Sequence, residues 1–225
     1  FASKHSISNI ILCLKQAYIK EDFRYTEELK NIDSKYLAES HISDVDVKLY
    51  KGNYLLNIGG EFSYKLVENN NYISVVQNEK QVALFSAFQY NSDFLQLNTI
   101  LRKQWKTAFE VPYIPTLAFG ANLNQNIKIR AKYNMSFRSP TFNDRFWIGS
   151  GANGNPNLDA ENSWNKELGI DFSFKKIIVS ATAYTLNISD MILWQAMDNV
   201  NWMPKNIKQV WSRGIDAKLQ LHINK

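Results

Sequence analysis

From Ile127 to Arg138 the chain alternates without a break. Ile127, Ile129, Ala131, Tyr133, Met135 and Phe137 form one series; Lys128, Arg130, Lys132, Asn134, Ser136 and Arg138 form the other. A period of two is the signature of a β-strand, because successive side chains leave opposite faces. Four cations on one face of a strand cannot be packed into an apolar core without partners. That face must look at water or at polar groups, and the apolar face must look at something else.

The same period recurs. Tyr54, Leu56, Ile58, Gly60, Phe62, Tyr64 and Leu66 share a face, with Asn57, Glu61, Ser63 and Lys65 opposite. Val82, Leu84, Phe88 and Tyr90 form another, as do Leu95, Leu97, Leu101 and Trp105, with Arg102 opposite. Tyr113 to Leu123, Trp164 to Phe174 and Ile215 to Ile223 follow the pattern. Residues 35–49 and 177–189 are strands with less clean faces, and 7–19 is the weakest. This gives about ten strands and no helix. Short connections (50–53, 91–94, 124–126, 175–176) alternate with long ones (20–34, 67–80, 106–112, 139–162, 190–206), which puts all short turns at one end. Leu49 and Tyr54, Tyr90 and Leu95, and Leu123 and Ile127 bracket turns on the same face, as register requires. The expected fold class is all-β, an antiparallel up-and-down meander.

Two environments accept such strands. A soluble β-barrel or β-sandwich module turns the apolar face inward; a transmembrane β-barrel turns it outward. The strands are often 10–13 residues long, about what a tilted membrane-spanning strand needs. Their polar faces carry Arg, Lys, Gln and Asn. Aromatics mark both ends: Trp105, Trp164, Trp194, Trp211, Tyr64, Tyr113 and Phe137 near the long loops, Tyr54, Tyr90 and Phe174 near the short turns. Aromatic belts at both edges of an apolar band are what a membrane interface selects. The expectation is part of a transmembrane β-barrel. No run of 18 apolar residues exists, so no helix spans a membrane. Net charge is +5 with no Lys/Arg run of five, which gives no nucleic-acid footprint, and one cysteine, Cys13, forms no internal disulfide.

A series of phrases begins where the cleanest strand ends. Phe137-Arg138-Ser139-Pro140-Thr141-Phe142-Asn143-Asp144 is followed by Gly154-Asn155-Pro156-Asn157-Leu158-Asp159-Ala160-Glu161. Ser163-Trp164-Asn165-Lys166-Glu167-Leu168-Gly169, Asp190-Met191-Ile192 and Ser212-Arg213-Gly214-Ile215-Asp216 come next. In order and spacing these phrases resemble those of TonB-dependent outer-membrane receptors. Asp159 and Asp216 stand where Lys and Glu are more usual. The half of the chain ahead of Phe137 matches by pattern alone.

The resemblance implies an outer-membrane location and a barrel of about 22 strands with a plugged lumen. It implies import of a scarce small-molecule ligand such as a ferric siderophore, haem or cobalamin. Partners would be the lipid bilayer, the receptor's own plug domain and, through the plug, the TonB complex, with no cofactor of its own. The chain opens on Phe1, and neither a plug sequence nor the closing strands are read in it. The expectation is an internal segment, with residues 1–225 as one partial barrel domain.

Ligand would meet the long loops, above all 139–162, where Arg138, Asn143, Asp144, Arg145, Trp147, Asn153 and Asn155 are the candidates. Arg102, Lys128, Arg130 and Lys132 form a cationic stripe on the inner face. It either attracts an anionic ligand or, as the plainer reading, contacts the plug through salt bridges. Asn153, Asn155, Asn157 and Asp159 place oxygens at alternate positions as calcium loops do, but Leu158 and Trp164 stand where an EF-hand wants Gly and Glu. Ordinary turn bonding is the expected use, with no metal site. No nucleophile–base pair is visible, so a barrel-borne enzyme is not expected.

Overall fold

The computed structural model describes residues 1–222 apart from 31, 108, 150, 199 and 200. Eleven strands follow one another in the sheet: β1 (Ala2–Ile7), β2 (Ile10–Glu27), β3 (Ile32–Lys51), β4 (Tyr54–Asn69), β5 (Val76–Asn91), β6 (Leu95–Lys106), β7 (Ile114–Asn122) and β8 (Ile127–Arg138), then, after two small strands, β11 (Glu161–Phe174), β12 (Ile177–Ala196) and β13 (Trp202–Leu221). Each pairs antiparallel with the next. Between β8 and β11 lie a five-residue helix α1 (Phe142–Phe146) and the two-residue strands β9 (Ile148–Gly149) and β10 (Ala152–Asn153). β10 joins β13 in parallel, the one break in the meander among the described residues.

Short turns and longer connections do alternate. The turns 8–9, 52–53, 92–94, 123–126 and 175–176 all fall at one end. Ser8, Gly52 and Lys175 have φ near +50°, the left-handed backbone that two-residue hairpin turns require.

The apolar series faces out. Leu168 is 61% exposed and Ile170 49%, and Ile58, Phe62, Val82, Leu84 and Leu117 are exposed with them. On the other face Ser63, Ala83 and Gly169 are buried. That arrangement sets aside the soluble module, whose apolar residues would be the hidden ones. Ile223, the last residue of the predicted final strand, lies outside the described residues.

Several expectations are corrected. The predicted 7–19 strand is broken by the turn at Ser8–Asn9. The predicted loops 20–34 and 190–206 are mostly strand: β2 runs to Glu27 and β3 resumes at Ile32, with a 3-10 turn between, and β12 runs to Ala196 with β13 resuming at Trp202. Beyond the bilayer both faces of a hairpin meet water, so the ladder continues while the hydropathy alternation that betrays it disappears. A helix is present where none was expected. Trp194 belongs to no aromatic belt. It pairs with Pro204, which is fully buried, and lies on the polar face.

Candidate functional site

On the polar face most of these cations are answered by carboxylates one or two strands away. Arg102 donates to Glu61 at 3.2 Å, and Glu61 also accepts from Gln81 at 2.8 Å. Arg130 holds Asp171 with two bonds, at 2.7 and 3.1 Å, and reaches Thr182 at 3.1 Å. Lys132 stands 4.0 Å from Glu167, and Lys106 donates to Glu79 at 3.0 Å. Lys128 binds Gln96 at 2.7 Å. The predicted stripe therefore exists as a row of side chains, but three of its four cations are neutralised within the wall. The long-range field toward an anionic ligand is weaker than the stripe alone implies.

Glycines make room for this row. An added Cβ at Gly169 would fall 2.8 Å from the Arg130 guanidinium, and one at Gly120 3.2 Å from the Lys128 chain. At Gly59 it would meet the Phe85 ring at 2.6 Å, and at Gly214 the Tyr184 hydroxyl at 2.7 Å. Each large side chain lies flat over a glycine on the next strand.

At the long-loop end, residues 139–160 do not project outward; they form a strap across the polar face. Thr141 caps α1: its hydroxyl accepts from the Asp144 amide at 3.0 Å, and the Asp144 carboxylate accepts from the Thr141 amide at 3.0 Å. Phe142, Phe146 and Trp147 then pack on Ala38, Val67 and Tyr72. The Tyr72 hydroxyl donates to Asn143 at 2.5 Å, the Ile73 amide to the Phe146 carbonyl at 2.9 Å and the Ile148 amide to the Asn71 carbonyl at 2.6 Å. At its other end the strap grips β13: the Trp202 amide donates to Gly151 at 2.7 Å and Asn155 donates to the Pro204 carbonyl at 3.3 Å. One short segment thus touches both the β4–β5 turn and β13. From β8 to β4 alone is four strand spacings, roughly 19 Å, so the sheet curves with its polar face inside.

Asp144 is the knot of the strap. It is 6% exposed, accepts from the Trp194 indole at 2.9 Å and faces Arg138 at 3.7 Å. Arg138 in turn donates to Glu161 at 3.0 Å, and Glu161 accepts the Ile192 amide at 2.8 Å. Gly154 sits so close to the helix end that a Cβ would lie 2.7 Å from the Arg145 and Phe146 backbone. Asn206 closes the far side, accepting from the Asp159 amide at 2.9 Å and donating to the Asp159 and Asp190 carbonyls at 3.0 and 2.6 Å.

Between strap and wall is a cavity of about 360 Å³, lined among others by Tyr36, Lys65, Glu79, Lys106, Phe142 and Arg145. The Arg145 guanidinium lies over the Phe109 and Phe146 rings, 4.8 and 4.4 Å from their centroids. Burial pulls it below its ordinary value, with the Glu79 carboxylate pulling the other way. Burial also pushes the Tyr72 phenol up to about 12.

The predicted ligand residues therefore divide. The Asn143 side-chain oxygen, the Asp144 carboxylate and the Asn155 amide hold the strap. Trp147 pairs with Tyr72 across an isolated bridge. Arg145 lines the cavity, Arg138 is half-exposed at the strap's root, and Asn153 is exposed on β10, paired with Ile148 next to Trp147. Asn155 caps the Asn157 amide at 3.0 Å, the turn bonding expected there. Among the described residues no group of three His, Cys, Asp or Glu side chains could hold a metal. Ser150, in the Gly-rich part of the strap, lies outside the described residues, as do 199 and 200. Sequence reading missed Tyr72, Trp194, Glu161 and Asn206. Continuing the period of two along β12 from Val179 and Ala183 places 194 on the polar face, so that one was within reach.

The sequence matches the family described as TonB dependent receptor-like, beta-barrel over residues 15–224. It is 34% identical over 104 residues to the vitamin B12 transporter BtuB of Photobacterium profundum, covering 44% of this chain and 17% of that one. It is 28% identical over 149 residues to the vitamin B12 transporter BtuB of Vibrio vulnificus, covering 66% of this chain and 24% of that one. The fold is similar to the crystal structure of the siderophore receptor PirA from Pseudomonas aeruginosa, with TM-score 0.74 and 18% identity over 93% of this chain and 44% of that one. The chain spans under a quarter of the length of these curated relatives.

Proposed function

The chain belongs to the TonB-dependent receptor β-barrel family of the outer membrane, and from that premise we propose that it forms wall and mouth of a receptor importing a scarce ligand, cobalamin or a ferric siderophore before haem. The observation that carries this reading is the reversal of faces. Leu168 and Ile170 are exposed on the outside while Arg130 and Asp171 pair within. Such a wall suits lipid outside and a polar passage inside.

Residues 1–225 act in this reading as one barrel portion. The paired cations Arg102, Arg130 and Lys132, together with Lys128, face the plug. The cavity beneath the strap and the root residue Arg138 face the ligand. Two relatives carry the name vitamin B12 transporter, which makes cobalamin the first ligand to try. Energy comes through the plug from the TonB complex, and no catalytic step is assigned.

The test is uptake of labelled cobalamin, ferric siderophores and haem by cells that lack their own outer-membrane route for each and express the full-length receptor. TonB-dependent accumulation of one of them is expected. Failure with all three sinks the ligand class. Arg138→Glu sets a third carboxylate beside Glu161 and Asp144 and should lower uptake. Unchanged uptake removes Arg138 from any role in ligand passage.

A further inference from the structure

Lys166 and Arg213, outward-facing on β11 and β13, stand in one row without a carboxylate partner among the described residues. Lys166 on β11 pairs across the ladder with Thr185 on β12, and Thr185 pairs with Arg213 on β13. Paired residues share a face, so all three point outward with Leu168, Ala183 and Ile215, the next row toward the short turns. Lys166 and Arg213 are exposed, and neither makes an ion pair among the described residues. Lys166 instead lies over the Tyr133 ring at 5.5 Å. One row further toward the long loops stand Trp164, Asn187 and Trp211. Trp164 stacks on Tyr133 at 5.0 Å, and Gln209 donates to Asn187 at 3.0 Å.

Height along the wall fixes what this row meets. From Phe174, at the short-turn end, to Lys166 is eight residues, roughly 27 Å of strand. At a tilt near 40° that is about 21 Å of height in an apolar band about 25 Å tall. The pair therefore sits just inside the upper aromatic girdle, where acyl chains end and headgroups begin. Lys166 and Arg213 are two strand spacings apart, roughly 10 Å between backbones. Lys166 leans toward Tyr133 on β8, and by leaving that ring its side chain is long enough to meet Arg213 at one group above Thr185. Cations on a lipid-facing wall are disfavoured unless an anion comes to them, and headgroup phosphates are the anions at that depth.

We propose that Lys166, Arg213 and Thr185, framed by Trp164 and Trp211, bind the phosphate of a lipid headgroup of net negative charge in the membrane leaflet at the long-loop end. Arg213 supplies the planar fork that suits phosphate oxygens, Lys166 a point charge that swings from the Tyr133 ring to the lipid, and the indoles cover the acyl side. The site rests on the membrane reading of the wall and concerns lipid, not the imported ligand.

The test uses the full-length receptor in detergent, titrated with phosphatidylglycerol or with phosphatidylcholine of the same acyl chains and read by native mass spectrometry. Retention of phosphatidylglycerol at concentrations where phosphatidylcholine is not retained is expected. K166Q/R213Q should weaken that retention about tenfold, while K51Q/K176Q, which removes equal charge beside two short turns, leaves it unchanged. Should the double variant not fold, Lys166→Gln alone should weaken retention severalfold and Arg213→Lys should keep most of it. Equal retention of both lipids, or equal losses in the two double variants, overturns the site. A receptor that fails to enter nanodiscs at all refutes the membrane reading, and the lipid site with it.

Discussion

The wall and the strap are built on opposite plans. The wall, β2 to β8 and β11 to β13, is held by backbone ladders in which any one side chain is a small part of the total. The strap has almost no ladder of its own. It is held by isolated bonds, a few between backbones such as Ile73 to Phe146 and Trp202 to Gly151, and the rest from named side chains: Tyr72 to Asn143, Trp194 to Asp144, Asn206 to Asp159 and Asp190. A repetitive structure tolerates local loss, and a knotted one does not. Substitutions should therefore hurt the wall only where they offend the lipid, and hurt the strap almost anywhere its buried polar atoms lose a partner.

Gly154→Ala is the hardest test of that contrast. The methyl meets the backbone of Arg145 and Phe146 at 2.7 Å, and backbone cannot swing aside. The strap should lift at a cost of roughly 3 kcal/mol or more. Protease cleavage within 139–160 of the folded receptor should then rise about a hundredfold, while the wall stays folded; cleavage at the wild-type rate breaks the comparison. On the wall, Leu168→Arg puts a charge against lipid and should cost about 2–4 kcal/mol at mid-bilayer depth. Urea titration of the receptor in lipid vesicles reads that cost.

Asp144→Ala strands the Trp194 indole and the Thr141 amide and should cost about 2 kcal/mol locally, visible as faster amide exchange at 141–155. Rising pH offers a milder route. The Tyr72 phenol titrates higher in the fold, at about 12, than its unfolded value of about 10. Its stabilising share is therefore complete below about pH 10 and lost as pH climbs toward 12. Strap proteolysis should increase over that window in wild type and much less in Tyr72→Phe. The smallest effect belongs to the wall's polar face. Lys132→Gln removes a 4.0 Å, half-exposed pair with Glu167 and should change stability by less than about 0.5 kcal/mol.

The same contrast explains what the sequence disclosed. The stretches that cross lipid were the most legible, because one face must be apolar and the other must not, as at Ile127–Arg138, while 7–19 was read through the turn at Ser8–Asn9. The hairpin ends beyond lipid, such as Phe23 to Tyr36, were not, since water on both sides erases the alternation while the ladder persists. Strap residues fall on the expected loop, and Asn143, Asp144 and Asn155 make bonds within it or to the wall. A polar side chain in a loop looks the same whether it caps an amide or waits for a guest, and only distances such as Trp194 to Asp144 tell them apart.

The glycines beneath Phe85, Lys128, Arg130 and Tyr184 bear on the width of the passage. By missing a side chain at those points, the barrel lets its bulkiest linings recline, so its bore is set by the thickness of a ring or guanidinium plane and not by its length. A single methyl at Gly169 would prop the Arg130 head away from Asp171 and aim it across the opening. Clearance along the polar face is thus written in the residues that contribute no side chain to it.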